Sequence, residues 1–569
     1  LTENRMPSAG RVCVIAGVCF VATLALCIIL PAMQLLIGSR PKANLYRGSV
    51  GELGRNGAAV NPGSSVVGKG WNAMPSSSER DAISNSATTL QQFGRRDVVS
   101  ENARQKAVRA AMEHAWSGYR QYAWGSDFLK PSSNGSSNPM GLMTTLIDGL
   151  DTLVLMNLSA EVEAGVQEIA ENFRGNQSPN PCSNFEVTIR ILAGLLSAYD
   201  LTGDDALLER AVQVGDIFWP AYDTPTSLPK TVVVPSTGAS YNFAWAGDAS
   251  VLSEAGTVQL EMLALGVRSG VKQFADKAIA SWQTLLQAAK DSPDGLLGIY
   301  INPATGKTTS NRVTFGANGD SFYEYQLKMW QMLGGSPVAP SNLHGVVPLN
   351  VSVPLAAETL SAFVRTVQTV RKVLWQVSSH GRAYLAEREN GHLVHKMDHL
   401  VCFWAGTLAH AHVLEVEVPG VDLLADAAAL SQTCLDFYRT TKSGLGPELV
   451  YFKDKKDFVD GADFYLLRPE AVESFFYLWH ATGDETWRDA AWTVFTAIEK
   501  HCKTDVAYTA VKLLNSEHPT SRDQMESFFL AETLKYLYLT FSDTDMLPLN
   551  EFVFNTEAHP LSLNPSTRM

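Results

Sequence analysis

Several segments of the chain hold acidic residues at places where a helix end or a loop would ordinarily be bland. NFEVTIR sets Glu186 and Arg190 four residues apart, a spacing that puts both on one face of a helix. GANGDSFYEYQLK places Asp320 after a Gly-containing turn, with Glu324 one turn further on. LLRPEAVESFFYLW carries Arg468, Glu470 and Glu473, and DQMESFFLAETLKYL carries Asp523, Glu526 and Glu532. LIDGLDTLVLM sets Asp148 and Asp151 in an apolar frame, and KMDHLVCFWAG leads into an apolar run with Asp398 and His399. FNTEAHP, near the C-terminus, holds Asn555, Thr556, Glu557 and His559. Taken one at a time, each has a structural explanation. Asp320 and Asp523 fit helix N-caps, Glu186 and Arg190 fit a surface pair, and Pro469-Glu470 fits a helix start. Taken together, they bring carboxylates beside Phe, Tyr and Trp again and again. If the segment ends converge, they form an acidic cup lined with aromatic rings. Sugars suit such a cup, and cleavage of a glycosidic bond calls for paired carboxylates.

The elements that would position these residues are helices. FEVTIRILAGLLSAYD, ETLSAFVRTVQTVRKVLWQV and DLLADAAALSQTCLDFYRTT repeat apolar residues at three- and four-residue steps. LLSAYDLTGDDALLERAV and YLWHATGDETWRDAAWTV share one device, helix then TGD then helix. The Gly closes the first helix and the Asp caps the second. ALGVRSGVKQFADKAI is a degenerate version. Short connections make antiparallel helical hairpins, and a succession of them makes either a solenoid or a closed α/α toroid. VVVP (232–235) and ELVYF (448–452) read as short strands, and residues 335–358 read as a loop without an obvious role.

The chain has 569 residues, 46% of them hydrophobic, enough for a large core. A formal net charge of −13 argues against a nucleic-acid partner, which needs a basic face. Residues 12–30 contain no charge and are long enough to cross a bilayer as a helix. They are expected to be an uncleaved signal anchor rather than a signal peptide. The expected organisation is a short tail and anchor over 1–37, a flexible Gly-, Ser- and Asn-rich stem over 38–107, and a lumenal globular region over 108–569. Sequons at Asn134, Asn157, Asn176 and Asn350 agree with a lumenal location. Of seven cysteines, Cys182, Cys402, Cys434 and Cys502 lie outside the anchor, enough for one or two disulfides.

The segments NFEVTIRILAGLLSAYDLTGD, GDSFYEYQLK, KMDHLVCF, LLRPEAVESFFYLWHATGD, DQMESFFLAETLKYLYLTFSD and FVFNTEAHP resemble, in order and in spacing, the motifs of class I α-mannosidases, glycoside hydrolase family forty-seven. The resemblance implies an (αα)7 barrel. It also implies calcium-dependent removal of α-1,2-linked mannose from oligomannose N-glycans, with inversion. Under it Glu186 matches the general acid, Asp320 a catalytic Asp from which a water could relay the proton instead, and Glu470 the general base. Arg190, Arg468, Glu473, His399, Glu526 and Glu557 match sugar-binding positions, with Asp148, Asp151, Glu254 and Asp523 as weaker matches. Thr556 matches a residue that binds Ca2+ through hydroxyl and carbonyl oxygens, ligands this ion favours. Cys402 and Cys434 stand where processing members carry a disulfide. The implied setting is the ER or Golgi membrane, single-pass type II, with a monomeric enzyme acting on glycoproteins.

One position departs from the resembling family. Two residues before the catalytic Asp, ER-type members commonly have Arg and Golgi-type members commonly Leu; here the residue is Asn318, followed by Gly319. A groove without a large cation there implies broad trimming of several mannoses. The alternative reading is that Asn-Gly simply makes a turn. The rival to an enzyme is a mannose-binding, degradation-enhancing relative. The presence of Glu186, Asp320, Glu470 and Thr556 weighs against it.

Overall fold

The computed structural model describes residues 101–335, 343–453 and 456–565, apart from the side chain of Asp460. The expected anchor and nearly all of the expected stem lie outside the described residues. Among the described residues no helix is long and apolar enough to cross a membrane.

Among the described residues, fourteen of eighteen α-helices carry the fold. In chain order they are α1 (Ala103–Tyr122), α2 (Leu150–Leu155), α3 (Ser159–Asn172), α4 (Ala193–Thr202), α5 (Asp205–Phe218), α6 (Gln259–Ser269) and α7 (Lys272–Asp291), then α8 (Asp320–Trp330), α9 (Leu349–Val373), α10 (Phe403–Val413), α11 (Leu423–Arg439), α12 (Glu470–Thr482), α13 (Glu485–His501) and α14 (Leu534–Phe541). The even-numbered helices pack successively on one another from α2 to α14. The segment that runs into α14, Phe529–Thr533, packs back on α2, and α14 packs on α1. The ring therefore closes, and the hairpins build a toroid rather than an open solenoid. α1 starts at Ala103, capped by Asn102, so residues 103–107 of the expected stem are helical.

Local chemistry explains the hairpins. Gly203 and Gly483 close α4 and α12 with φ of 72° and 64°, which a residue without Cβ adopts at no steric cost. Asp204 and Asp484 accept the N–H groups of Ala206 and Thr486 at 2.9 Å and cap α5 and α13. The loop expected over 335–358 is helical from Leu349 onward. Pro354 conceals this in the sequence, because Pro inside a helix removes a backbone bond. The inner helices are also less regular than a 3.6-residue period suggests. Val187–Leu192, Gln331–Gly335 and Phe529–Thr533 are π-helical turns at inner-helix ends, a distortion common beside functional sites.

The expected short strands are present as Val232–Val234 and Leu449–Lys453. Two further pairings matter for the site. Strand β1 (Lys396–Asp398) runs antiparallel to β2 (Leu449–Lys453), with Asp398 opposite Leu449. Strands β3 (Phe552–Phe554) and β4 (Pro560–Ser562) form a buried C-terminal hairpin. Its turn is FNTEAHP, and it enters the ring. Asn555 donates to the Ile189 carbonyl at 2.9 Å and to Glu261 of α6 at 3.0 Å. Lys328 of α8 donates to the Asn555 carbonyl at 3.0 Å, and Lys535 of α14 to the Ala558 carbonyl at 2.7 Å.

Candidate active site

The hairpin turn and the N-terminal ends of the inner helices gather the acidic residues in one place. α12 begins at Glu470, just after Pro469. The Glu470 carboxylate takes a 2.8 Å bond from His399 Nδ1 and lies 3.6 Å from Arg468. Arg468 is itself held by Glu448 at 3.0 Å. Burial pushes Glu470 up, but Arg468 and then His399 outweigh it and keep the carboxyl below the usual glutamate range. His399 Nε2 bonds the Tyr438 hydroxyl at 2.9 Å. Both ring nitrogens are thus used inside the protein, and His399 orients Glu470.

Asp320 experiences the opposite field. It opens α8, and its oxygen accepts only the Ser321 N–H, at 3.0 Å. Burial, followed by the charges of Glu324, Asp398 and Glu470, pushes it up to about 8. Glu254 behaves alike: burial raises it to about 8, Glu186 adds to that, and one carboxylate oxygen has no hydrogen-bond partner. Glu186 is half-buried and bonded to Arg190 at 2.7 Å. Arg190 also bonds Glu557 and Ser527 and lies 3.6 Å from Asp148.

Beneath these groups the carboxylates crowd. Burial pushes Glu473, Glu532 and Glu557 well above the usual range, with neighbouring carboxylates adding to it. Glu526 is raised by burial to about 7. Thr556 is the half-buried residue of an otherwise buried turn. Its hydroxyl donates to Glu324 at 2.8 Å, and Glu324 is paired with Lys328. Among the described residues no three His, Cys, Asp or Glu side chains form a ready metal cage. The donor set nonetheless suits a hard divalent cation. It offers a hydroxyl at the turn, hard oxygens throughout, and carboxylates whose mutual repulsion a cation would relieve.

Three expected sugar contacts are engaged by groups of the protein. Asp148 and Asp151 are fully buried below the turn. His559 bridges them, through Nε2 to Asp148 at 3.0 Å and Nδ1 to Asp151 at 2.8 Å. Lys535 pairs with Asp151 at 2.8 Å. Burial raises Asp151, but Lys535 and His559 outweigh it and bring the carboxyl down to about 2. These two acids fasten the hairpin into the ring. Asp523 accepts the N–H groups of Ser132 and Ser133 at 2.7 and 3.1 Å and ties two loops together. Sequence reasoning missed Phe528, which is buried with the guanidiniums of Arg190 and Arg468 over its ring at 5.5 and 5.3 Å. Its place in an apolar run hides it. Glu448, Glu261 and Lys328 were also missed, because only the closed ring reveals their partners.

Cys402 and Cys434 form a disulfide with Cα atoms 6.0 Å apart. It joins the start of α10 to α11.

Known proteins resemble this chain in sequence and in fold. The chain is 40% identical to mannosyl-oligosaccharide alpha-1,2-mannosidase IA of Spodoptera frugiperda, over 80% of its own length and 67% of the relative's. It is 38% identical to the endoplasmic reticulum mannosyl-oligosaccharide 1,2-alpha-mannosidase of Rattus norvegicus, over 81% of this chain and 68% of that one. The two identities are too close to favour either type. The solved alpha-1,2-mannosidase from Trichoderma reesei superposes with a TM-score of 0.71 at 28% identity, covering 82% of this chain and 100% of the other. The toroid is accordingly an (αα)7 barrel. With residues 111–563 matching its description, the chain belongs to glycosyl hydrolase family 47.

Proposed function

We propose that this enzyme hydrolyses terminal α-1,2-linked mannose from oligomannose N-glycans, with inversion and with calcium bound at Thr556. The observation that carries the reading is the opposite treatment of two acids in one cup. Arg468 and His399 keep Glu470 ionised, while burial keeps a proton on Asp320. Displacement with inversion needs such a pair, a base on one face of the sugar and a proton donor on the other.

In this mechanism Glu470 removes a proton from the attacking water, and His399 fixes the carboxylate by its 2.8 Å bond. Asp320 supplies the proton that the leaving oxygen takes up. Glu186, paired with Arg190 at 2.7 Å, guides that transfer as an acceptor and orients the departing sugar. Of the two donors that the resemblance leaves open, Glu186 or Asp320 through a water, this reading takes Asp320. Glu254, Arg468, Glu473, Glu526 and Glu557 bind hydroxyls or hold those that do. Calcium, when bound, would polarise oxygens of water and sugar. Thr556 would hold it through hydroxyl and carbonyl oxygens.

The lumenal catalytic region would hang from an N-terminal anchor and stem in the ER or Golgi membrane and act as a monomer on glycoproteins. The test is incubation with a nine-mannose glycan, with and without EDTA. Mannose release that EDTA abolishes and Ca2+ restores is expected. Binding without release would favour the mannose-binding alternative.

A further inference from the structure

Asp398 has no part in the mechanism above, yet it touches the turn before one reacting acid and precedes the residue that holds the other. It ends β1, and the next residue, His399, holds Glu470. Its carboxylate faces the other way, toward the turn that precedes Asp320. Oδ2 accepts the Ala317 N–H at 3.4 Å. A Cβ built on Gly316 would come within 2.3 Å of that oxygen, so the carboxylate lies flat against the turn. Gly316 is absent from the glycines of positive φ; its small size is what the contact requires. The turn is pinned from its other side. Gly316 N–H donates to the Thr314 hydroxyl at 2.8 Å, and that hydroxyl donates to Glu387 at 3.0 Å.

The charges around Asp398 form one buried chain. Lys396 lies 2.9 Å from Asp398 and 3.0 Å from Glu387, and Arg312 pairs with Glu387 at 2.8 Å. From the helices, Asp320 and Glu324 of α8 and Glu470 of α12 face the same region.

We propose that Asp398 is a positioning residue of the reaction, holding the Asp320 turn against the strand whose next residue holds Glu470, so that one dipeptide sets donor and base relative to each other. This rests on the reading of Asp320 as donor and Glu470 as base. Two effects follow. The rigid link keeps the gap that an attacking water needs. Asp398 also adds to the raised Asp320 value, of which burial is the larger cause; burial raises Asp398 itself, and Lys396 opposes that rise.

The experiment measures kcat and KM against pH on an α-1,2-linked mannobiose for the wild-type enzyme, Asp398→Asn and Gly316→Ala. Asp398→Asn keeps shape and removes charge. Its basic limb is expected to move down by about one pH unit, with the acidic limb in place. Gly316→Ala keeps every charge and displaces the carboxylate. It is expected to lower kcat about tenfold or more, with KM within about twofold of wild type. An unmoved basic limb in Asp398→Asn together with wild-type kcat in Gly316→Ala would overturn the inference. So would losses in both variants that fall on KM alone. If Asp398→Asn does not fold, the kcat-against-KM split in Gly316→Ala decides. A wild-type enzyme that releases no mannose sinks the functional reading itself, whereas an active wild type with unaffected variants sinks only the role of Asp398.

Discussion

Glu470 is buried and Asp320 half-buried, and their neighbours set them further apart. One has a guanidinium and an imidazole beside it, and the other has carboxylates. Glu470→Gln preserves shape but removes the base, so kcat should fall by about 10²–10⁴ while the glycan still binds. Wild-type kcat in that variant would exclude Glu470 as the base. The types of these residues were legible in the sequence; their protonation was not, because it depends on partners far along the chain. Asp148 and Asp151 show the same limit. Nothing local to LIDGLDTLVLM indicates that His559 bridges the two carboxylates and that Lys535 pairs with Asp151. Asn318 takes a left-handed φ of 78°, and its carbonyl accepts the Ser253 N–H at 3.0 Å. The turn reading of Asn-Gly therefore holds, and the groove still lacks the reach of an Arg at that point. Trimming of a nine-mannose glycan should proceed through several isomers, and Asn318→Arg should narrow it towards one. A single eight-mannose isomer accumulating with the wild-type enzyme, resolved by chromatography, would refute this.

Helices and their caps were the most legible elements, since apolar period and TGD caps act within a few residues. The π-helical turns were not, because no residue type within a few positions marks the extra residue in the turn. Val187–Leu192 follows Glu186 directly, and Phe529–Thr533 follows Glu526 and Phe528. In both cases the distortion sits where site residues leave the regular helix. Ring closure was equally hidden, for it depends on α14 meeting α1 across the whole globular chain. The link between α10 and α11 is covalent, with Cys402 and Cys434 32 positions apart in sequence. Closing a loop of that length stabilises the fold by about 3–4 kcal/mol in the chain-entropy treatment. The Cys402→Ala, Cys434→Ala double variant should lose that amount in denaturant unfolding, with activity near wild type at low temperature. A loss below about 1 kcal/mol would assign the stability of this hairpin to packing alone.

At the scale of the molecule, the barrel encloses more negative charge than its own cations offset. Burial raises Glu254 and Asp320 to about 8 and Glu261 and Glu526 to about 7. Each of these acids holds its proton more tightly folded than unfolded. In the window between the ordinary carboxylate range and about pH 8, the native state therefore binds more protons, and stability falls as pH rises. Glu470 and Asp151 act in the reverse sense. Their folded values are lowered, so the stability they contribute disappears as pH falls through the acid range. The metal-free enzyme should then be most stable near pH 5 and lose Tm steadily towards pH 8. A divalent cation at Thr556 would offset the same repulsion, so Ca2+ should raise Tm more at pH 8 than at pH 5. Mg2+, which prefers a rigid octahedral shell and keeps its waters, should raise it less. Scanning calorimetry at several pH values, with EDTA, Ca2+ or Mg2+, measures this directly. A Tm of the EDTA-treated enzyme that rises from pH 5 to 8 would show that these acids are ionised in the native state. A Ca2+ increment that is equal at both pH values would separate the cation from the carboxylate cluster and leave Thr556 without the role assigned to it.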